Sequence, residues 1–446
     1  RPRETTAGGA GRRSRPARRR VGSTGRRLAD RRGKQGSVRS VERTVSHLFS
    51  PLTLRGVEIP SRVWMSPMCQ YSSPDGRPGR WHLVHLGARA VGGAGLVMVE
   101  ATAVTSDGRI SPFDLGLWSE EQVGAFQVVT EFVREAGAVP AIQLAHAGRK
   151  ASVAPPWDGG KPLADAEGGW TPVGPTEVPF PGLRTPRALD AEGVAAVVDA
   201  FVAAAARAVR AGFEVVEIHA AHGYLLHSFL SPLANQRRDA YGGDLAGRAR
   251  LLREVVDAVR QSVEVPLFVR VSATDWADER GGLTLADSVQ VARWLRDEGV
   301  DLVDCSSGGV IPGVAVPVGP GYQVPLAAAI REGAGVPVAA VGMITEADQA
   351  ESILADGRAD AIMVGRALLA DPMWPLGAAA ELGEEARWPR QYERAASLRA
   401  GASRREPQTA DSSRHRSRLG ALGDGESAED RWGTSLRAPR SGRVRG

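Results

Sequence analysis

The sequence predicts an α/β chain folded as a single (β/α)8 TIM barrel, with basic extensions at both ends. Three observations carry this. From about Leu48 onward, short and nearly continuous apolar runs alternate with longer Ala- and Arg-rich segments. Eight such runs fall in roughly 330 residues, the repeat expected when parallel strands are covered on both faces and each is followed by a helix. Polar residues collect where the runs end, and no glycine-rich GxGxxG turn follows the first run. That absence, with the high unit count, disfavours the runner-up, a doubly wound open sheet.

Taken in order, the predicted strands lie in RVWMSPM, AGLVMVEA, AVPAIQLAH, FEVVEIHAA, PLFVRVSA, VDLVDCSS, VPVAAVGM and ADAIMVGR. Five helices are predicted between them. SEEQVGAFQVVTEFVREAG has a Ser to cap its start, an early acidic pair and a Gly stop. DAEGVAAVVDAFVAAAARAVRAG, GDLAGRARLLREVVDAVRQS, TLADSVQVARWLRDEG and TEADQAESILADG follow the same grammar. Several end in Gly directly before the next strand, the usual turn from helix to strand.

The boundaries come from charge. The chain has 446 residues and a formal charge of +5. Residues 1–45 carry 15 basic and 3 acidic groups, residues 396–446 carry 11 and 6, and residues 46–395 carry 30 and 42. The predicted barrel, 46–395, is therefore acidic, which argues against a nucleic-acid groove on it. Residues 1–45 and 396–446 are rich in Arg, Gly, Ser and Pro, without aliphatic periodicity, and read as disordered extensions. No run of about twenty apolar residues predicts a membrane span. Two cysteines, Cys69 and Cys305, are too few for a disulfide framework, and a reducing, cytoplasmic setting is expected.

Candidate chemistry sits at strand ends, where barrels keep it. After the fourth strand, EIHAAHGYLLHSFLSP places His219, His222 and His227 around Tyr224. The spacing alone allows a metal pair, a catalytic pair or interior histidines, since zinc needs further ligands. At the seventh and eighth strands, Gly342 and Gly365 let backbone N–H groups approach an anion, and Arg366 adds a cation at a helix start. These loops hold phosphate in many barrels. Arg270, on the fifth strand and pointing inward, needs an anionic or carbonyl partner.

Together these motifs resemble the old yellow enzyme family of FMN-dependent ene-reductases. The likeness covers about residues 47–395 and rests on SPMCQYS (66–72), QLAHAGRK (143–150), EIHAAHGYLLHSFLSPLANQRRDAYGG (217–243), VRVSATDW (269–276), VGMIT and VGRALLADP. SPMC with Cys69 is similar to the bacterial thermophilic-like subgroup. The resemblance implies FMN as cofactor, NADPH or NADH as hydride donor, and an alkene conjugated to a carbonyl or nitro group as substrate. It implies that His219 and His222 grip the activating oxygen, with no metal, and that Tyr224 donates a proton to the α-carbon. Tyr71 is implied as a second substrate contact, and His227 is assigned no catalytic role. Around the flavin ring it implies Ser66, Pro67, Met68, Cys69, Ala101 and Gln143, with Arg270 at the N1/C2 carbonyl side. For the phosphate it implies Gly365 and Arg366, with Gly342 and Met343 beside them. Arg149 and Lys150 are expected only to brace the third loop.

PRQYERA (389–395) matches a subgroup signature in which an arginine crosses a dimer interface. Arg394 is therefore expected to enter a neighbouring site in a homodimer or homotetramer, although this chain continues beyond the family's usual end. Two rival readings are another FMN barrel, such as a tRNA dihydrouridine synthase, and a non-catalytic scaffold whose basic arms bind nucleic acid.

Overall fold

The computed structural model describes residues 46–396. The predicted extensions, 1–45 and nearly all of 396–446, lie outside the described residues. Eight parallel strands close a barrel: β1 (Val63–Met65), β2 (Leu96–Ala103), β3 (Val139–Ala145), β4 (Val215–Ala220), β5 (Leu267–Ser272), β6 (Leu302–Ser306), β7 (Val338–Ala340) and β8 (Ala361–Val364). Each strand is followed by a helix: α1 (Arg80–Val91), α2 (Glu120–Glu135), α3 (Ala191–Arg210), α4 (Leu245–Ser262), α5 (Leu285–Asp297), α6 (Val324–Ala334), α7 (Ala347–Ala355) and α8 (Trp374–Glu381). All eight predicted strands are present. Of the helices, α1, α6 and α8 were not anticipated. The segment before α6, GGVIPGVAVPVGPGYQ, is so rich in Gly and Pro that it hides the helix behind it.

The helix termini follow from local chemistry. Asp190 and Asp244 cap α3 and α4 by accepting the N–H groups of Gly193 and Gly247, each at 2.8 Å. The cap expected of Ser119 works from the other partner: Gln122 Oε1 accepts the Ser119 N–H at 3.0 Å. Gly137, Gly212, Gly299 and Gly357, which follow α2, α3, α5 and α7, all adopt positive φ.

Strand alternation then divides the interior. Lower positions are apolar: Trp64, Leu96, Met98, Val139, Ala141, Val215, Phe268, Leu302, Ala339, Ala361 and Met363 form one cluster. A hairpin of Leu52–Leu54 and Val57–Ile59 closes that end, contributing Leu54 and Ile59. Trp64 stacks on Phe268 at 5.7 Å between ring centres, worth about 1 kcal/mol beyond the area buried. Residues of the other parity face the helices and form the larger core.

Above the apolar plug, the next inward positions are polar. Register aligns Gln143 with Glu217, His219 with Arg270, and Arg270 with Asp304. The chain enters the barrel under a clasp on α7. Glu351 accepts the Ser46 hydroxyl and the N–H groups of His47 and Leu48 at 2.6, 2.9 and 2.8 Å.

Candidate active site at the barrel mouth

The loop after β1 is tied down by a buried acid. Ser66 N–H donates to the Val364 carbonyl at 3.0 Å, and Glu100, inward on β2, accepts the Gln70 N–H. His82 of α1 takes the Gly79 N–H on Nδ1 at 3.0 Å, leaving Nε2 facing Glu100 at 3.1 Å. This anchor sets Cys69 and Tyr71, the latter at φ 47°. Both pack with Tyr224, Trp170 and Leu183 on a small apolar cluster of Ile110, Ala147, Ala151 and Val153. Ala101 joins Tyr224 in lining a narrow cleft there. Residues far apart in sequence thus meet in one cluster.

His219 projects from β4 and His222 from the turn beyond it, with ring centres 5.1 Å apart; Tyr224 lies 5.2 Å from His219. His222 and Gly223 both adopt positive φ, 59° and 74°. The turn packs backbone against backbone on the loop after β6, so a side chain at Gly223 would strike the Gly309 carbonyl. Ser272 accepts the His222 N–H at 2.9 Å, and His222 Nε2 lies 2.7 Å from the Ser306 hydroxyl. His219 Nδ1 is buried without a hydrogen-bond partner. Lys150 Nζ donates to the His222 and Gly309 carbonyls at 3.0 and 3.1 Å and lies over the Tyr224 ring. Arg149 ties three loop carbonyls, those of Val178, Pro179 and Val310.

Burial, followed by the charge of Arg270, holds both His219 and His222 well below the usual imidazole range. At neutral pH they are neutral N–H donors. Burial pushes the Tyr224 phenol well above 10, so it stays protonated. Beneath them, Arg270 Nε contacts Asp304 Oδ2 at 3.1 Å, and Gln143 donates to Glu217 at 2.7 Å. The partner that Arg270 required is a carboxylate on the next strand. Burial, then Asp304, pushes the Glu217 carboxyl up to about 8.

On the other side of the mouth, Gly342 and Met343 (φ 124° and 49°) and Gly365 with Arg366 line a cavity of about 420 Å³ reaching Arg270. Arg366 is exposed and opens a short helix, Arg366–Ala370. A Cβ built on Gly365 would find only Met68 Sδ, at 3.7 Å, so the approach to its backbone is open. Ser306, Tyr322 and Gln323 also line this cavity and were not singled out in the sequence. Their signal was their place at or after the end of β6. Arg394 is exposed on the 3-10 turn Arg390–Ala395 and is not among the residues lining either cavity.

The profile of the NADH:flavin oxidoreductase / NADH oxidase family matches residues 47–385. The chain belongs to this family. It is similar to the NADPH dehydrogenase of Halalkalibacterium halodurans, 47% identical over 350 residues, covering 78% of this chain and 98% of that protein. The NADPH dehydrogenase of Bacillus licheniformis is 49% identical over 351 residues, covering 78% and 98%. Among solved structures, morphinone reductase superposes with TM-score 0.64 at 30% identity, covering 76% of this chain and 91% of that one. The old yellow enzyme homologue from Zymomonas mobilis gives 0.62 at 27% identity, covering 74% and 91%. The old yellow enzyme resemblance is borne out, and the protein is an FMN-dependent NAD(P)H oxidoreductase. Its residues fit that cofactor: an open glycine turn with an exposed arginine suits a phosphate, and the cavity leads from there to Arg270 and to Ser306, whose hydroxyl lies 2.7 Å from His222 Nε2. Among the described residues no helix is long and apolar enough to cross a membrane.

Proposed function

We propose that the enzyme reduces carbon–carbon double bonds conjugated to a carbonyl or nitro group. The observation that carries this is the pair of neutral, buried imidazoles beside a protonated phenol, with His222 contacting Ser306 of the cavity lining. FMN, when bound, supplies the hydride that it takes from NAD(P)H. His219 and His222 donate N–H bonds to the activating oxygen, where negative charge gathers as hydride reaches the β-carbon. Tyr224 gives its hydroxyl proton to the α-carbon, completing addition of two hydrogens across the bond. A phenol held above its usual pKa is always loaded at neutral pH, and solvent returns its proton afterwards. Tyr71 would close the substrate side, and Cys69 and Ala101 would approach the flavin ring. Ser66, Pro67, Met68, Gln143 and Arg270 would surround the ring, and Gly342, Met343, Gly365 and Arg366 would hold the phosphate.

The purified protein should show a flavin spectrum that NADPH bleaches and cyclohexenone restores. With His219→Ala and His222→Ala together, FMN content and bleaching should persist, while recolouring slows by about a hundredfold or more. Parental recolouring in that variant would remove the pair from the reaction.

A further inference from the structure

His227 is fully buried one helical turn beyond Tyr224, yet both of its ring nitrogens face specific groups. The Gly223 N–H donates to Nδ1 at 2.8 Å, so the ring proton sits on Nε2. That nitrogen faces Asp275 Oδ1 at 3.1 Å, in a contact bent away from the hydrogen-bond axis. Asp275 lies past the end of β5 and is itself immobilised. Its Oδ2 accepts the Ser231 hydroxyl at 2.6 Å and the Leu283 N–H at 2.7 Å. A buried chain therefore runs from the β5 loop through His227 to the peptide joining His222 to Gly223. The residue on the other side of Gly223 is Tyr224. Because Gly223 sits at φ 74° against the Gly309 carbonyl, its N–H direction sets how the turn presents both neighbours.

We propose that His227, braced by Asp275, is the positioning residue for Tyr224. This rests on the reading of Tyr224 as the proton donor. His227 touches neither substrate nor cofactor; it holds the Gly223 N–H, and through it the angle at which the phenol meets the α-carbon. An apolar side chain of similar size fills the space but frees that N–H. Glutamine offers an oxygen for Gly223 and an N–H for Asp275, and keeps the link.

Two single-turnover steps separate the roles: bleaching by NADPH and recolouring by cyclohexenone. In His227→Leu, bleaching should keep its rate while recolouring slows by about tenfold to a hundredfold, the penalty of a misplaced reacting group. His227→Gln should recover most of that loss. Equal slowing of both steps, or no slowing, or failure of glutamine to rescue, would overturn the proposal. Tyr224→Phe separates the two ideas. If it recolours at the parental rate, the proton-donor reading fails, and slowing in His227→Leu would then not run through the phenol. If Tyr224→Phe slows and His227→Leu does not, only the positioning role fails. Should the leucine variant not fold, the histidine ¹⁵N spectrum of the wild-type protein remains decisive: His227 must show a bare Nδ1 and a protonated Nε2, and a protonated Nδ1 would overturn the link.

Discussion

His222 keeps its backbone at φ 59°, a conformation that costs a residue with a side chain about 1 kcal/mol or more. The turn tolerates this because Ser272 holds the His222 N–H and Lys150 its carbonyl. Gly223 has no such latitude. Gly223→Ala should lower stability by about 1–3 kcal/mol, from left-handed strain and collision with Gly309; a melting curve checks it. The charge state of the histidines makes a second expectation. Since both are held well below 6.5, turnover should show no histidine inflection between about pH 6 and 8. An inflection in that range, lost on mutating either histidine, would mean the pair carries charge. At this scale much was legible: His219, His222, Tyr224, Gly365 and Arg366 lie in motifs with a chemical reason to be there. The anchoring roles of Asp275 and Glu100 were not, because an anchoring acid is recognisable only once its histidine is beside it.

The strands show what periodicity can and cannot reveal. Their count and order were readable because each is apolar on both parities at its start. Where each becomes polar was readable too, but not who meets whom there. Pairing Arg270 with Asp304, and Gln143 with Glu217, needs the inter-strand register. The buried acid Glu217 carries a pH consequence. Its carboxyl is pushed from 4.5 up to about 8 in the folded chain, so across that window the folded state holds a proton that the unfolded state has released. Its contribution to stability therefore falls as pH rises from 4.5 towards 8. Glu217→Gln cannot lose that proton, so its melting temperature should gain on the parent's as pH rises through this window. A constant difference would show that Glu217 does not titrate there. Among helices, those opening on Ser, Thr or Asp and closing on Gly were legible; α6 and α8 begin with proline in the first turn and no capping side-chain bond.

For the molecule as a whole, the Glu351 clasp marks where the barrel begins. The clasp holds Ser46, His47 and Leu48, and residues 1–45 carry no aliphatic periodicity in sequence, so removal of residues 1–45 should leave flavin content and melting temperature unchanged; a large fall in either would show that the segment packs on the barrel. Arg394, exposed and outside the lining of its own cavities, is proposed to complete the site of a second copy. Subunits with His219→Ala and His222→Ala, mixed with Arg394→Ala subunits, should recover activity above that of the Arg394→Ala protein alone; no recovery after demonstrated exchange would exclude the shared site. Strand β1 has a different importance. It is three residues long, yet it alone joins β2 to β8, with Trp64 pairing to Leu96 on one side and to Met363 on the other. Its pairing with β8 joins Trp64 to Met363, about 300 residues apart, so the ring is sealed by the longest-range pairing among its strands. Until it seats, two apolar parallel edges stand open to any other chain. This three-residue stave is therefore the barrel's guard against aggregation, during synthesis and again on heating.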